Sequence, residues 1–383
     1  MASIKETNQA GSQQSKQRRT LSRRQVLKGS ALAAGGLAAT SIIGSPFPSR
    51  AAGGEVTVLT WETYHDDPWL AEFTQNTGIK VNVVRAGSVD EMYAQTRSGA
   101  IKSDVLFFDS GSIPRYMEAK LIAPIDLSQV ENAKNITPQL DFKKFNTFDG
   151  KLYAIPYNWG TQPLMFNADA VTSGTDSWGV LWDPKYQGKV SMFDDAYVTF
   201  PMIALYVGAK DAYNLTDAEF DKCREALKAL RPQVRTIARG FDDATSTFAA
   251  GEAALGYCQN ISEVFALQGK GLNFAYSLPK EGTPTWIDNA VITESGNRPE
   301  VYQLINAGLD LKWQSRFITK SGNNGVLSAD AANAEQIPAD ILKRTNILDQ
   351  ATPGFWDKMS IFQPPENIDK RLEIWNDFKA GTL

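Results

Sequence analysis

The chain has 383 residues, 43% of them apolar, with a formal charge of −4 and a single histidine. Its first 52 residues hold eight Lys and Arg against one Glu, so the remainder stands at −11, which argues against nucleic acid or an anionic membrane surface as partner. One histidine excludes a multi-histidine zinc site, and without a G-x-S-x-G turn, a G-x-G-x-x-G loop or a phosphate loop, enzyme chemistry is poorly supported and neither metal nor cofactor is expected.

LSRRQVLK at 21–28 puts Arg23 and Arg24 ahead of an Ala- and Gly-rich apolar stretch and the small residues of SRAAGG. Basic, apolar and small-residue regions in that order read as an export signal over 1–52, with the twin arginines pointing to the translocase for folded proteins. The apolar stretch is short of the roughly 20 residues of a membrane span. The rest of the chain, about 330 residues, is long enough for two lobes, each with its own core.

From residue 55, strands and helices alternate: VTVLTW, then a helix over PWLAEFTQNTG ending at Gly78, the strand IKVNVVRAG, a helix over VDEMYAQTRSGAI, and the strand SDVLFFDSG. The near-continuous apolar run of that last strand suits a parallel sheet covered on both faces. Such sheets bind ligands beyond the carboxyl ends of their strands, where Trp61, Tyr64, Asp109 and Ser110 fall. His65 reads as a solvated turn residue.

KLYAIPYNWGTQPLMFNADAV reads as a strand crossing to a second lobe, and Trp159 on it as either a cleft residue or a buried hinge residue. Trp178 and Trp182, four apart on a short helix, read as core. A strand ends at Asp194 and Asp195, which are either ligand carboxylates or caps of the helix PMIALYVGA. LTDAEFDKCREALKALR is an amphipathic helix with a capping residue at its start. DDATSTFAAGE is a helix, AALGYC a strand, and another helix starts near Ile261. TPTWIDNAVITES returns to the first lobe with Trp286 and Asp288 on one face. RPEVYQLINAGLDLKWQ is one strong helix, and the last sixty residues are mainly helical. Cys223 and Cys258 could pair in an oxidising compartment or stay as two buried thiols. Two crossings suggest a hinge between two α/β lobes that close on a ligand; with the final helical stretch placed back in the second lobe, the first lobe is 53–160 plus 290–317 and the second 161–289 plus 318–383.

TWETY (60–64), FTQNTGIKV (73–81), EMYAQ (91–95), YAIPYNWG (153–160), SWGVLWDPKYQGKV (177–190), FDDA (193–196), GEAALGY (251–257), PKEG followed by WID (279–288) and a terminal FKAG stand in one order over most of the chain. In that order they resemble the bacterial extracytoplasmic solute-binding proteins of ABC importers, in their spermidine/putrescine-binding branch. The resemblance implies a monomeric periplasmic protein that makes and breaks no bond, closes on a small amine and docks on a permease. It implies aromatic faces for the alkyl-ammonium and carboxylates for its charge: Trp61, Tyr64 and Trp286 as rings, Asp288 and Asp195 as acids, and Ser110 as a small hydroxyl residue. Three positions depart from that pattern. Ser112 replaces an aromatic, Val198 a glutamate and Gln259 a tryptophan, so Gln259 meets the ligand with an amide. These losses point to a shorter ligand or one with a single cationic end. Arg239, in TIARGFDD, either holds a carboxylate, which would make the ligand a zwitterion such as an ω-amino acid or an opine-like compound, or pairs with Asp242 or Asp243. An exported hydrolase using His65 and a structural envelope role are the readings from other classes.

Overall fold

The computed structural model describes residues 53–383 apart from Thr63, and the expected export signal lies outside the described residues. Strand β1 (Glu55–Thr60) pairs in parallel with β2 (Lys80–Arg85) and β3 (Val105–Asp109). All five residues of β3 are buried, as its apolar run requires. The helix Asp67–Thr77 starts with Pro68 in its first turn and stops at Gly78, whose φ of 76° a side chain would resist. After a small hairpin, β4 (Thr147–Phe148) and β5 (Lys151–Leu152), comes β6 (Ala154–Thr161), buried throughout.

The chain then enters a second sheet: β7 (Leu164–Asn167), β8 (Val190–Phe193), β9 (Val234–Ala238), β10 (Leu255–Tyr257) and β11 (Phe274–Ser277), in the order β11-β7-β10-β8-β9. Strands β8, β9 and β10 are mutually parallel, so their carboxyl ends share one edge. β12 (Thr283–Ile292) returns to the first sheet between β3 and β6, antiparallel to both, and β13 (Met359–Ile361) adds in parallel at its start.

Each sheet carries its own core. Val56, Val58, Phe107, Ile155, Ile287, Trp313 and Phe317 lie in the largest cluster of the first, with Leu106, Phe108 and Tyr116 in a second cluster. Trp178, Phe200, Phe220, Trp375 and Phe378 pack the second sheet, with Met165, Phe248 and Phe274 in a further cluster. The expected lobe boundaries need two corrections. Residues 283–289 belong to the first sheet with the rest of β12. Val326, Leu327, Ile347 and Phe355 pack into the first core too, so the last lobe change comes after β13 rather than at 318. The last of the three lobe changes is thus displaced, and Phe362 with the final helix, Ile368–Ala380, closes the second core. β13 escapes the sequence because three residues leave no period to read.

Other elements differ in detail. The helix expected over 298–314 is two, Pro299–Gly308 and Leu311–Ser321, because Asp310 caps a new start by accepting from the Lys312 and Trp313 amides. The helix expected at Pro201 begins at Ala196, with Asp195 as its cap and Pro201 inside it. The amphipathic helix, Asp217–Leu230, has the full capping box of Thr216 and Glu219. Trp159 is wholly buried against Phe355 and Trp356, and Trp178 and Trp182 are core as expected. Cys223 and Cys258 are both free and buried, in different apolar clusters. No described helix is long and apolar enough to cross a membrane.

Candidate functional site

The parallel register that brings β1 and β3 together sets Trp61, Tyr64, Asp109 and Ser110 along one sheet edge. β12 runs the other way past that edge and places Asp288 directly opposite Asp109 on one side and Asn158 on the other. A register shift between Asp288 and Asn289 in the β6 pairing marks the spot. Trp286, two residues away on the same face, lies over Gly160: a Cβ there would stand 2.3 Å from the indole Cζ2. Glycine is what lets the ring lie against the strand, half-buried and packed toward the second core.

Asp288 is 8% exposed, and no described cation pairs with it. Its Oδ2 accepts from the Tyr64 hydroxyl, which in turn accepts from Asn158 Nδ2 at 3.1 Å. Burial lifts the Asp288 carboxyl to about 7, and the neighbouring Asp109 adds to the rise. The Tyr64 hydroxyl and the nearby Trp61 indole act against it, although Trp61 Nε1 makes no hydrogen bond of ordinary geometry. Tyr64 departs from its expected role as a cage wall. It is 4% exposed, packed among Phe107, Tyr157 and Phe317, with its hydroxyl committed to Asp288. Trp61 and Trp286, by contrast, are half-buried.

Ser110 is a strut. Its Oγ donates to the Ile287 carbonyl at 3.3 Å and accepts from Asn289 Nδ2 at 3.0 Å, tying β3 to β12. His65, expected in solvent, is 2% exposed and stacked 5.8 Å from Tyr157. Burial, with Arg85 adding, drives its imidazole down to about 3, so it stays neutral and Nδ1 has no partner. The apolar residues around it, Phe107, Tyr157 and Trp313, explain the difference.

The remaining predicted residues sit at the shared carboxyl edge of the second sheet. Asp195 caps the helix Ala196–Tyr206, its Oδ1 accepting from the Tyr197 amide at 2.7 Å and the Val198 amide at 3.4 Å. Burial nonetheless raises its carboxyl; the cap amides oppose the rise, while Asp90 of the first lobe and Asp194 add to it. Asp194 is structural, held by Trp375 Nε1 at 3.1 Å and Lys379 Nζ at 2.8 Å. Arg239 follows β9 and is exposed; its amide donates to Asp243 Oδ2 at 3.0 Å, but its guanidinium makes no ion pair among the described residues. The expected pairing with Asp242 or Asp243 is therefore a backbone contact. Gln259 follows β10 with its Oε1 buried and unpartnered, and its carbonyl accepts from Gln162 Nε2 at 3.2 Å.

Sequence reading missed Tyr197, which lies two residues beyond Asp195. It reaches across to the first lobe, where a Cβ on Gly111 would stand 1.8 Å from its hydroxyl oxygen, and that hydroxyl donates to the Gln363 carbonyl at 3.3 Å. The aromatic in FDDAY was the available signal. A separate opening of about 470 Å³ between the helix Ser262–Gly269 and residues 343–349 holds none of the predicted site residues.

Comparison with known proteins adds four findings. The family model described as bacterial extracellular solute-binding protein matches residues 69–340. The spermidine/putrescine-binding periplasmic protein of Salmonella typhimurium is 31% identical over 252 residues, 64% of this chain and 70% of that protein. Spermidine/putrescine-binding periplasmic protein 1 of Haemophilus influenzae is 30% identical over 279 residues, 72% of this chain and 76% of that one. Among solved structures, a spermidine/putrescine ABC transporter substrate-binding protein from Streptococcus pneumoniae superimposes with a TM-score of 0.76 at 21% identity. It covers 86% of this chain and 100% of its own, a likeness of fold.

Proposed function

We propose, from the premise that the chain belongs to the bacterial extracellular solute-binding proteins, that it captures a small cationic amine between its lobes and delivers it to an ABC importer. The observation that carries this is Asp288, a buried carboxylate with no described cation, oriented by Tyr64 and flanked by the half-buried rings of Trp61 and Trp286. An ammonium on an alkyl stem answers both halves of such a site, charge to carboxylate and methylenes to indole faces. The names of the two curated relatives point the same way. Work outside the cytoplasm, export by the twin-arginine route, action as a monomer and docking of the closed form on a permease complete the reading.

A second reading is favoured by Arg239, whose exposed guanidinium at the carboxyl edge of the second sheet makes no ion pair among the described residues. It could hold the carboxylate of a zwitterion such as γ-aminobutyrate while Asp288 takes the amine. A thermal-shift panel of putrescine, spermidine, γ-aminobutyrate and common amino acids tests both. A ligand at about a hundred times its dissociation constant adds roughly 2.7 kcal/mol, several degrees of melting temperature. Asp288→Asn abolishes that shift under either reading, whereas Arg239→Ala abolishes it only for a zwitterion. A full shift with Asp288→Asn refutes the site.

A further inference from the structure

Asp109 has no assigned role, yet its surroundings are those of a binding group. It stands directly opposite Asp288 in the antiparallel pairing of β3 and β12, so the two side chains emerge on one face with Cβ atoms about 5 Å apart. It is 6% exposed. One carboxylate oxygen accepts from Ser112 Oγ at 2.8 Å, and the other, Oδ1, is buried with no hydrogen bond of ordinary geometry among the described residues, the Tyr197 hydroxyl being its neighbour across the junction. That oxygen is turned toward the lobe junction: it lies 3.0 Å from where a Gly111 Cβ would be, the point that the Tyr197 hydroxyl approaches from the second lobe. No described Lys or Arg pairs with Asp109 or Asp288. Like charges directly opposite in a sheet repel, and two buried carboxylates at this spacing cannot both stay ionised without a cation.

We infer that Asp109 is a second ammonium-recognition residue, and that a primary ammonium sits between the Asp109 and Asp288 carboxylates with Tyr197 closing over it. The inference rests on the amine reading above and refines it, because a paired-carboxylate clamp selects a small head with several N–H donors over a quaternary one. It also supplies the second acid that Val198, in place of a glutamate, takes from the other side of the cleft. The titratable groups turned toward the pair from neighbouring elements are tyrosines: Tyr64 after β1, Tyr116 from the first lobe, and Tyr197 and Tyr213 from the second. Burial holds each hydroxyl above its ordinary range. None can supply the missing positive charge, so when the ammonium enters, the pair gives up the proton it held.

Calorimetric titration of putrescine into wild type and Asp109→Asn tests this, run at pH 6.5 in two buffers of different ionisation enthalpy. The amide keeps the size of the side chain, and melting of the unliganded variant checks its fold. The clamp predicts at least tenfold weaker binding by Asp109→Asn, and proton release by wild type that the variant reduces. Retained affinity with unchanged proton release overturns the clamp and leaves the amine reading standing. Failure of wild type to bind putrescine or spermidine removes the amine reading, and the clamp with it. As a ligand-free readout, carboxyl-carbon NMR of Asp288 against pH shifts downward in Asp109→Asn if the two acids are coupled, and an unmoved titration overturns the pairing.

Discussion

Affinity for a cationic amine should fall steeply in mild acid, and the structure sets how steeply. In the unliganded protein the Asp288 carboxyl is held up to about 7 by burial, with Asp109 adding to the rise. An ammonium binds its ionised form, whereas a primary amine like that of lysine stays charged across this range. At pH 8 most Asp288 is ionised, and each unit below 7 removes a factor of about ten, or roughly 1.4 kcal/mol. Going to pH 5.5 therefore weakens putrescine binding by about 30-fold, close to 2 kcal/mol. Asp195, also raised by burial, acts in the same direction. His65 cannot mimic the effect, because its imidazole stays neutral down to about 3. Stability of the unliganded protein should slope the opposite way. A carboxyl raised from 3.8 to about 7 on folding stabilises the fold below its unfolded value, and that contribution is lost as pH rises through 7. Calorimetry at pH 8, 7, 6.5 and 5.5, paired with unliganded melts, gives both slopes. An affinity that stays flat across that range would refute a proton-bearing Asp288 at the ammonium.

Two glycines carry further predictions. Gly111→Ala puts a methyl 1.8 Å from the Tyr197 hydroxyl oxygen; overpacking of about 1–3 kcal/mol then falls on the closed form, which opening of the lobes relieves. Putrescine affinity should drop at least fivefold with little change in the unliganded melt, and scattering with ligand present should report a larger radius than wild type. Gly160→Ala drives a methyl into the Trp286 ring, 2.3 Å from Cζ2. It should lift the indole off β6, weaken the ligand by about tenfold and shift tryptophan emission to the red; unchanged affinity would mean that Trp286 is not a ligand wall.

The sequence discloses the parts of this molecule that local chemistry decides. The all-apolar run of β3, the glycine stop after Thr77 and the capping box at Thr216 each follow from neighbours in the chain, and each is where the pattern puts it. Trp286 and Asp288 were legible as a ring and an acid on one face because strand period alone decides that. What stayed hidden depends on contacts far apart in sequence. Tyr64 looked like an exposed ring because its turn is polar, whereas Phe107, Tyr157 and Phe317, the last 253 positions away, bury it. His65 looked solvated for the same reason, while Trp313 helps wall it in. A three-residue β13 carried no signal, so the last crossing was placed too early and residues 318–361 were assigned to the wrong lobe.

Asp109 shows why a candidate site can be legible residue by residue and still illegible as chemistry. Read alone at a strand end, an aspartate is as much a turn former as a ligand, and its Ser112 contact fits the first role. Its second meaning exists only because β12 returns antiparallel, 179 residues later, with Asp288 in register. One residue of slip would turn Asp288 to the other face of the sheet and separate the two carboxylates. The struts that forbid the slip are themselves long-range: Ser110 to Ile287 and Asn289, Asn146 to Asn289, and Asn158 to the Tyr64 hydroxyl. Four polar contacts thus fix the alignment of two acids that would repel if both were ionised. A fold that holds two acids together in this way keeps a proton on the pair until a cation takes its place, so the alignment fixed by the struts makes ligand entry and proton release one event.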